Sequence, residues 1–355
     1  MLFLLLSLQA AWPCAALITT SSGAIATSDA QEVILERTET GTRTRYRVSY
    51  DGDAEHFGWL IVVHGQVGEG DVTEADAFAF DDLREATQPR TETYGIGSGG
   101  GSGGGCRNCL NSYKSADMAG GNAFSADTGD DIDVVAEGYA GPFHYQVLDA
   151  EEPEALTAWL EDNDFELGGT ETTLGEYVAE GGFSFVAVTL TPDDAVTPSE
   201  GRTLPALAIE SDSDILHYPA RMALTGMAEE VRTTVWLIGD TEAEAIEGWD
   251  SEPVAEIDLD GTAEDTYDSL LRAMAFSRDI PTYAQVYSGS LDGDWVTRLD
   301  TLAHRSVHTV DPQFDFMADS SENQTIIMNW GAASEAAGWL LLPLLGVGWA
   351  RRRRA

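Results

Sequence analysis

The sequence predicts an α+β domain, mostly antiparallel β-sheet with a few packed helices, and three observations predict it. Short apolar or alternating runs recur along the chain, a few helical patterns interrupt them, and the regular strand-helix alternation of a parallel βαβ sheet is missing. No internal repeat is visible. An N-terminal signal segment and a C-terminal transmembrane-like helix flank this body.

In chain order, residues 32–36 and 43–50 read as a strand pair about Gly41, the second alternating Tyr46, Val48 and Tyr50 against Arg43, Arg45 and Arg47. The run 59–63, Trp-Leu-Ile-Val-Val, is a buried strand. Residues 73–87 turn helical, with Thr73 as N-cap candidate, Glu74, Asp76, Asp81 and Asp82 on the wet face, and Pro89 as the stop. A Gly and Ser tract at 95–105 opens a long surface excursion that runs to about Asp131. Gly95, Gly97 and Gly100 have the GxGxxG spacing, yet no strand leads in and no helix follows to present amides to a pyrophosphate.

The second half is more regular. Residues 143–148 form a strand, and Pro153 starts a helix that places Leu156, Trp159 and Leu160 on one face. Thr173 caps a shorter helix carrying Leu174, Tyr177 and Val178, which Gly181 and Gly182 stop. Residues 183–190 are apolar on both faces and therefore central in a sheet. Strands at 204–209, 217–224 and 232–238 follow. Thr262 and Asp265 make a capping-box start for a helix bearing Tyr267, Leu270, Leu271 and Met274. The strand 283–287 then leads into 295–302.

The two ends carry the clearest functional signal. Apolar residues from Leu2 to Leu8, followed by Ala10, Ala11, Ala15 and Ala16, read as a signal peptide, although no basic residue precedes the apolar run. Cleavage after Ala10 keeps Cys14 and cleavage after Ala16 removes it. At the other end an apolar stretch, residues 336–350, meets the membrane stop Arg351, Arg352, Arg353 and Arg354. As a helix that stretch spans roughly 22 Å against roughly 30 Å of hydrocarbon, so crossing requires residues 331–335 as well. The expected location is extracytoplasmic, in the periplasm or at the cell surface, anchored to a membrane by the C-terminal helix.

The chain thus divides into a signal peptide (1–16), an N-terminal β-rich part of the body (17–94) and a Gly/Ser-rich excursion (95–131). A main α+β part (132–318), a linker (319–335), a hydrophobic anchor (336–350) and a basic cytoplasmic tail (351–355) follow.

The formal net charge is -42, with Lys114 as the one lysine, and a surface this negative repels nucleic acid and anionic lipid. It suits solubility in a salty medium or binding of a divalent cation, with an envelope protein or glycan as further partner classes. Ca2+ is the cation considered, because Asp-rich turns at 127–133, 258–260 and 292–294 supply oxygen ligands, but none follows the twelve-residue calcium loop.

Cys106 and Cys109 form a CxxC after the glycine tract, without the helix start that lowers a redox thiol's pKa. In an oxidising compartment these two, with Cys14 if it is retained, are disulfide candidates. His304 and His308 lie four apart, would share one helix face, and with the two cysteines are a candidate zinc set. GxSxG, HExxH and P-loop motifs are all missing, and the serine of residues 289–293 is out of place for a nucleophile elbow. His56 and His64 flank the strand 59–63, where either can pair with a carboxylate as an acid-base couple.

Residues carrying Phe57-Gly58-Trp59, Tyr145-Gln146-Val147-Leu148, Tyr177-Val178, Gly181-Gly182-Phe183, Leu204-Pro205-Ala206-Leu207 and Thr297-Arg298-Leu299 occur in an order that resembles the bacterial domain of unknown function family 2330, over roughly residues 25 to 320. The resemblance implies an exported protein with a hydrophobic C-terminal segment and Arg tail, and supplies no catalytic or cofactor residue. The glycine excursion looks expanded relative to that family, and the tail lacks the Cys-Gly signature of a C-terminal sorting signal. The leading functional expectation is a non-enzymatic binding or structural module of the cell envelope. One alternative is a hydrolase-like envelope enzyme built on His56, His64 or His144 and nearby acids; another is a calcium-stabilised structural domain.

Overall fold

The computed structural model describes residues 17–19, 26–52, 57–94, 132–165, 167, 169–190, 202–203, 205–222, 227–276 and 280–330. The expected signal segment with Cys14, His56, the glycine tract, Cys106, Cys109, Lys114, residues 127–131, the expected anchor and Arg351 to Arg354 lie outside the described residues. No helix among the described residues is long and apolar enough to cross a membrane.

Strands β1 (Leu17–Thr19), β2 (Ala26–Arg37), β3 (Thr42–Gly52), β4 (Phe57–His64) and β5 (Val72–Ala75) precede helix α1 (Ala77–Thr87). Strands β6 (Arg90–Tyr94), β7 (Ile132–Ala140) and β8 (Phe143–Ala150) come before helices α2 (Pro153–Asp162) and α3 (Glu171–Glu180). Next are β9 (Phe183–Leu190), β10 (Arg202–Thr203), β11 (Ala206–Ser211), β12 (Leu216–His217), β13 (Met227–Gly239), β14 (Ala243–Glu247), β15 (Asp250–Pro253) and β16 (Glu256–Asp258). Helix α4 (Ala263–Phe276) is followed by β17 (Thr282–Leu291), β18 (Asp294–His304), β19 (Gln313–Phe316), β20 (Asn323–Gln324) and β21 (Ile326–Trp330).

Two large sheets carry the architecture. The smaller has the order β1-β4-β9-β8-β7 and is antiparallel throughout. The larger runs β15-β17-β18-β13-β2-β3-β11-β5, with β10 added on β3 and β20 on β17. Its ladders are antiparallel except β2 with β13 and β15 with β17. Two three-stranded sheets, β12-β19-β14 and the all-parallel β16-β21-β6, close the periphery.

Period-two alternation explains how these sheets stack, because successive side chains leave a strand on opposite faces. On β4, Trp59, Ile61 and Val63 enter a core shared with Val33 and Leu35 of β2 and Val235 and Leu237 of β13, so the two large sheets face each other. Leu60 and Val62 point the other way, into a second core with Leu156, Trp159 and Leu160 of α2 and Leu174 and Tyr177 of α3. The outer face of the larger sheet is covered by α1, through Phe80 and Leu83 against Ile34 and Trp236, and by α4, through Leu271 and Met274 against Ala284 and Val286. The result is four layers: helices, sheet, sheet, helices. The expected α+β class with a mostly antiparallel sheet is what the chain adopts, and 183–190 is central, as β9 between β4 and β8.

Several element boundaries differ from the sequence expectation. Thr73 does not cap α1: it pairs with Ala208 in the β5 to β11 ladder, and Asp76 caps instead, accepting the Phe78 N–H at 2.9 Å. Thr173 lies inside α3 and is buried, while Thr170 holds the cap position and donates its hydroxyl to the Leu167 carbonyl. The capping box at α4 forms as expected, Thr262 Oγ1 accepting the Asp265 N–H at 3.0 Å. Of the strand expected at 217–224, the described residues keep only His217, the end of β12; Pro219 has no N–H for the ladder, and Ala220–Met222 tighten into a 3-10 turn. Residues 323–330, expected as linker, form β20 and β21, and β21 pairs with β6 and β16.

One ion pair is sealed between the larger sheet and α4. Asp300 is fully buried and accepts from Arg298 through Nε at 3.0 Å and an Nη at 2.9 Å, and from the hydroxyl of Tyr267. Burial, with the Asp300 charge adding to it, holds the Tyr267 phenol well above its ordinary pKa. Asp300→Asn strips the counter-charge from a buried guanidinium and is expected to cost about 3–5 kcal/mol. Urea unfolding checks this as a lower midpoint at unchanged slope.

Candidate functional site: the seam around Asp311

Two loops meet where β4 leaves the core. Its last residue, His64, follows four buried positions and is itself half-buried. Gly65 takes φ +94°, and a Cβ there would stand 2.7 Å from Ser213 Cβ and 2.8 Å from Ser213 N, so only glycine lets these segments touch. Hydroxyls satisfy the exposed backbone: Ser211 Oγ donates to the His64 carbonyl at 2.9 Å and Ser184 Oγ to the Gly65 carbonyl at 2.9 Å. His64 Nδ1 lies 2.7 Å from Ser213 Oγ, which also accepts the Ile215 N–H at 3.0 Å.

Beside this lies Asp311, held between the 3-10 turn Arg305–Val307 and β19. Its Oδ2 accepts from the Tyr177 hydroxyl at 2.7 Å, Arg221 Nε at 3.0 Å and His217 Nε2 at 3.2 Å, and its Oδ1 accepts the Arg221 N–H at 2.7 Å. Burial alone would push this carboxyl up; the donors from His217, Arg221 and Tyr177 outweigh it and hold Asp311 below the usual carboxylate range. Arg221 continues outward to a bidentate pair with Glu180, at 2.6 and 2.7 Å, and its guanidinium covers the Tyr177 ring at 4.2 Å. Burial lowers the Arg221 pKa, and Glu180 and Asp311 raise it by more. One carboxylate therefore joins α3, the 3-10 turn at 220–222, β12 and the segment leading to β19.

Histidines line the seam. His64 and His217 have ring centroids 6.0 Å apart, with Phe183 at 5.2 Å from the first and 5.4 Å from the second. Burial, then the neighbouring His217, lower the His64 pKa against the pull of Asp214 and Asp212. His308 is fully buried, 5.1 Å from the Trp249 ring, and neither ring nitrogen has a hydrogen-bond partner among the described residues. That burial, against Asp311 and with His304, lowers its pKa to about 4.

The sequence candidates scatter. His304 and His308 do not share a helix: His304 ends β18, with Nδ1 2.8 Å from Ser306 Oγ, and the turn after it sends His308 inward. His64 pairs with a hydroxyl, where a carboxylate was expected. His144 is buried on β8, stacked on Tyr139 at 4.6 Å and 3.0 Å from Glu137. The 292–294 turn is explained by hairpin chemistry, since Asp292 and Gly293 have φ +55° and +109° between β17 and β18. Sequence reading missed His217, Ser213 and Asp311 as partners. The Asp311-Pro312 step is legible only as a turn, and 94 residues separate His217 from Asp311.

Stability should fall on acidification in a defined window. His308 has a folded pKa near 4 against an unfolded value near 6.5, so the folded state binds this proton less readily. Its contribution is present above pH 6.5 and is lost as pH falls toward 4; Asp311, depressed, adds a loss below that. His308→Phe should flatten the slope of unfolding free energy between pH 6.5 and 4 by on the order of 3 kcal/mol in total, measured by urea unfolding at each pH.

Comparison with known proteins adds the family and little more. No curated protein matches the chain. The crystal structure of baculovirus P35 aligns over 85% of this chain and 97% of that chain, at 8% identity and a TM-score of 0.33. A family model described as an uncharacterized protein conserved in bacteria, DUF2330, matches residues 9–301, the span that holds all of the smaller sheet, most of the larger one and the His64, Ser213 and His217 side of the seam. The chain belongs to the DUF2330 family.

Proposed function

We propose that this chain is an exported protein, tethered to a membrane by its C-terminal segment, and that its body is a non-enzymatic binding or structural module on the extracytoplasmic side, in the periplasm or at the cell surface. The observation that carries the non-enzymatic reading is the saturation of Asp311. It is the buried carboxylate beside the histidines, and both its oxygens are engaged by four donors from three residues. A general base needs a lone pair within reach of a substrate proton, whereas this one is committed to holding segments together. The location rests on the apolar run and small residues of the first 16 positions and on the Arg351 to Arg354 stop. The net charge of -42 favours a cationic protein surface, a glycan or a divalent cation as partner, Ca2+ included, over nucleic acid.

The 2.7 Å contact of His64 with Ser213 favours a second reading, a hydrolase-like site with Ser213 as nucleophile and His64 as base. Against it, the neighbouring backbone donors that would hold an oxyanion are already used. Gly65 N–H goes to the Gly182 carbonyl, Gln66 N–H to Asp212 Oδ1 and Val67 N–H to Ser184 Oγ.

Fractionating cells that express the native chain, with intact-mass analysis of the recovered protein, tests the location. The expected outcome is a membrane-fraction species that has lost its N-terminal segment and kept its Arg tail. A full-length species in the soluble fraction with free thiols overturns it. Labelling of Ser213 by a fluorophosphonate would instead move the argument to the enzyme reading.

A further inference from the structure

Asp311 fixes which nitrogen of His217 carries hydrogen. An ionised carboxylate only accepts, so His217 Nε2, 3.2 Å from Oδ2, is the donor, and Nδ1 is the nitrogen whose lone pair a ligand can take. That Nδ1 is buried and has no hydrogen-bond partner among the described residues. A buried ring nitrogen without a hydrogen-bond partner is costly, and a ligand that takes its lone pair would remove the cost.

His64 supplies the complementary half. Its Nδ1 is engaged by Ser213 Oγ, which leaves Nε2 for a second partner. The two rings are 6.0 Å apart, and imidazoles that share one ion at a nitrogen distance of about 2.0–2.1 Å have centroids about 5–6 Å apart. Each ring also has the outer hydrogen bond that orients a ligating histidine: carboxylate to imidazole at Asp311 and hydroxyl to imidazole at Ser213.

We propose that His64 Nε2 and His217 Nδ1 bind one divalent transition-metal ion of the imidazole-preferring zinc and copper(II) class between the two rings. Among the described residues no set of three His, Cys, Asp or Glu side chains is placed to hold a metal, so protein supplies two positions and the others are open. Water fills them, or the exposed carboxylates of Asp212 and Asp214 turn in; both already act electrostatically on His64. A site with open positions is one where a second molecule can join the ion.

The test is calorimetric titration of Zn2+ into the full chain at neutral pH, in 0.15 M-class salt with excess Mg2+ to occupy the acidic surface. The same titration in a C106S/C109S background excludes the thiols. One-site binding that survives this change and weakens at least tenfold in His64→Gln and in His217→Gln is expected; Gln at 217 still donates to Asp311. On the wild-type chain, Zn2+ should also slow carbethoxylation of His64, a readout that needs no variant to fold. No saturable binding, binding that disappears with the cysteines, or binding and histidine reactivity indifferent to His64 overturns the proposal.

Discussion

A strand covered on both faces has no side left for water, and that constraint shapes this protein. The two large sheets lie against each other and each is capped by helices, so β4, β9, β2 and β13 must place apolar residues on both pleats. Trp59 and Ile61 belong to one core and Leu60 and Val62 to the next, all but fully buried. The heavy acidic excess is therefore pushed outward, to helix surfaces and strand rims, and coexists with ordinary core packing.

Where positive charge is scarce, its placement matters. Lys and Arg together number 19 against 61 Asp and Glu. Several of the arginines are used where layers meet: Arg47 joins Glu32 on β2 and Asp81 on α1, Arg298 joins Asp300 under α4, and Arg221 joins Asp311 and Glu180 beside α3. Each also lies over an aromatic ring, Phe80, Trp236 and Tyr177 in turn. Breaking such a pair leaves one charge alone in a poorly hydrated joint, so these cations act as rivets between layers.

The secondary structure was largely legible because its signals are local. Apolar runs marked β4, β8 and β9, and Pro153, Gly181, Gly182 and the Thr262-Asp265 pair marked helix ends. Errors arose where a long-range pairing competed with a local preference: Thr73 answered to β11 before any helix, and Pro219 ended a strand that the apolar pattern extended. The seam was illegible for the same reason. Tyr177, the stretch with His217 and Arg221, and Asp311 come from three segments far apart in the chain, and no spacing connects them. His64 was visible as a strand-end histidine, but its partner, Ser213, sits 149 residues away.

The three-stranded sheet at the end of the described chain has a mechanical implication. β21 lies between β6 and β16 with all three strands pointing the same way, its ladder reinforced by the Ile326 N–H to the Ala255 carbonyl and by the Leu259 N–H to the Met328 carbonyl. A force applied along the axis of β21 would load the slanted bonds on both its edges in shear, so they share it and do not open one after another. β21 is thus a joint suited to bearing tension, which it would pass to Arg90–Tyr94 and Glu256–Asp258 ahead of the cores.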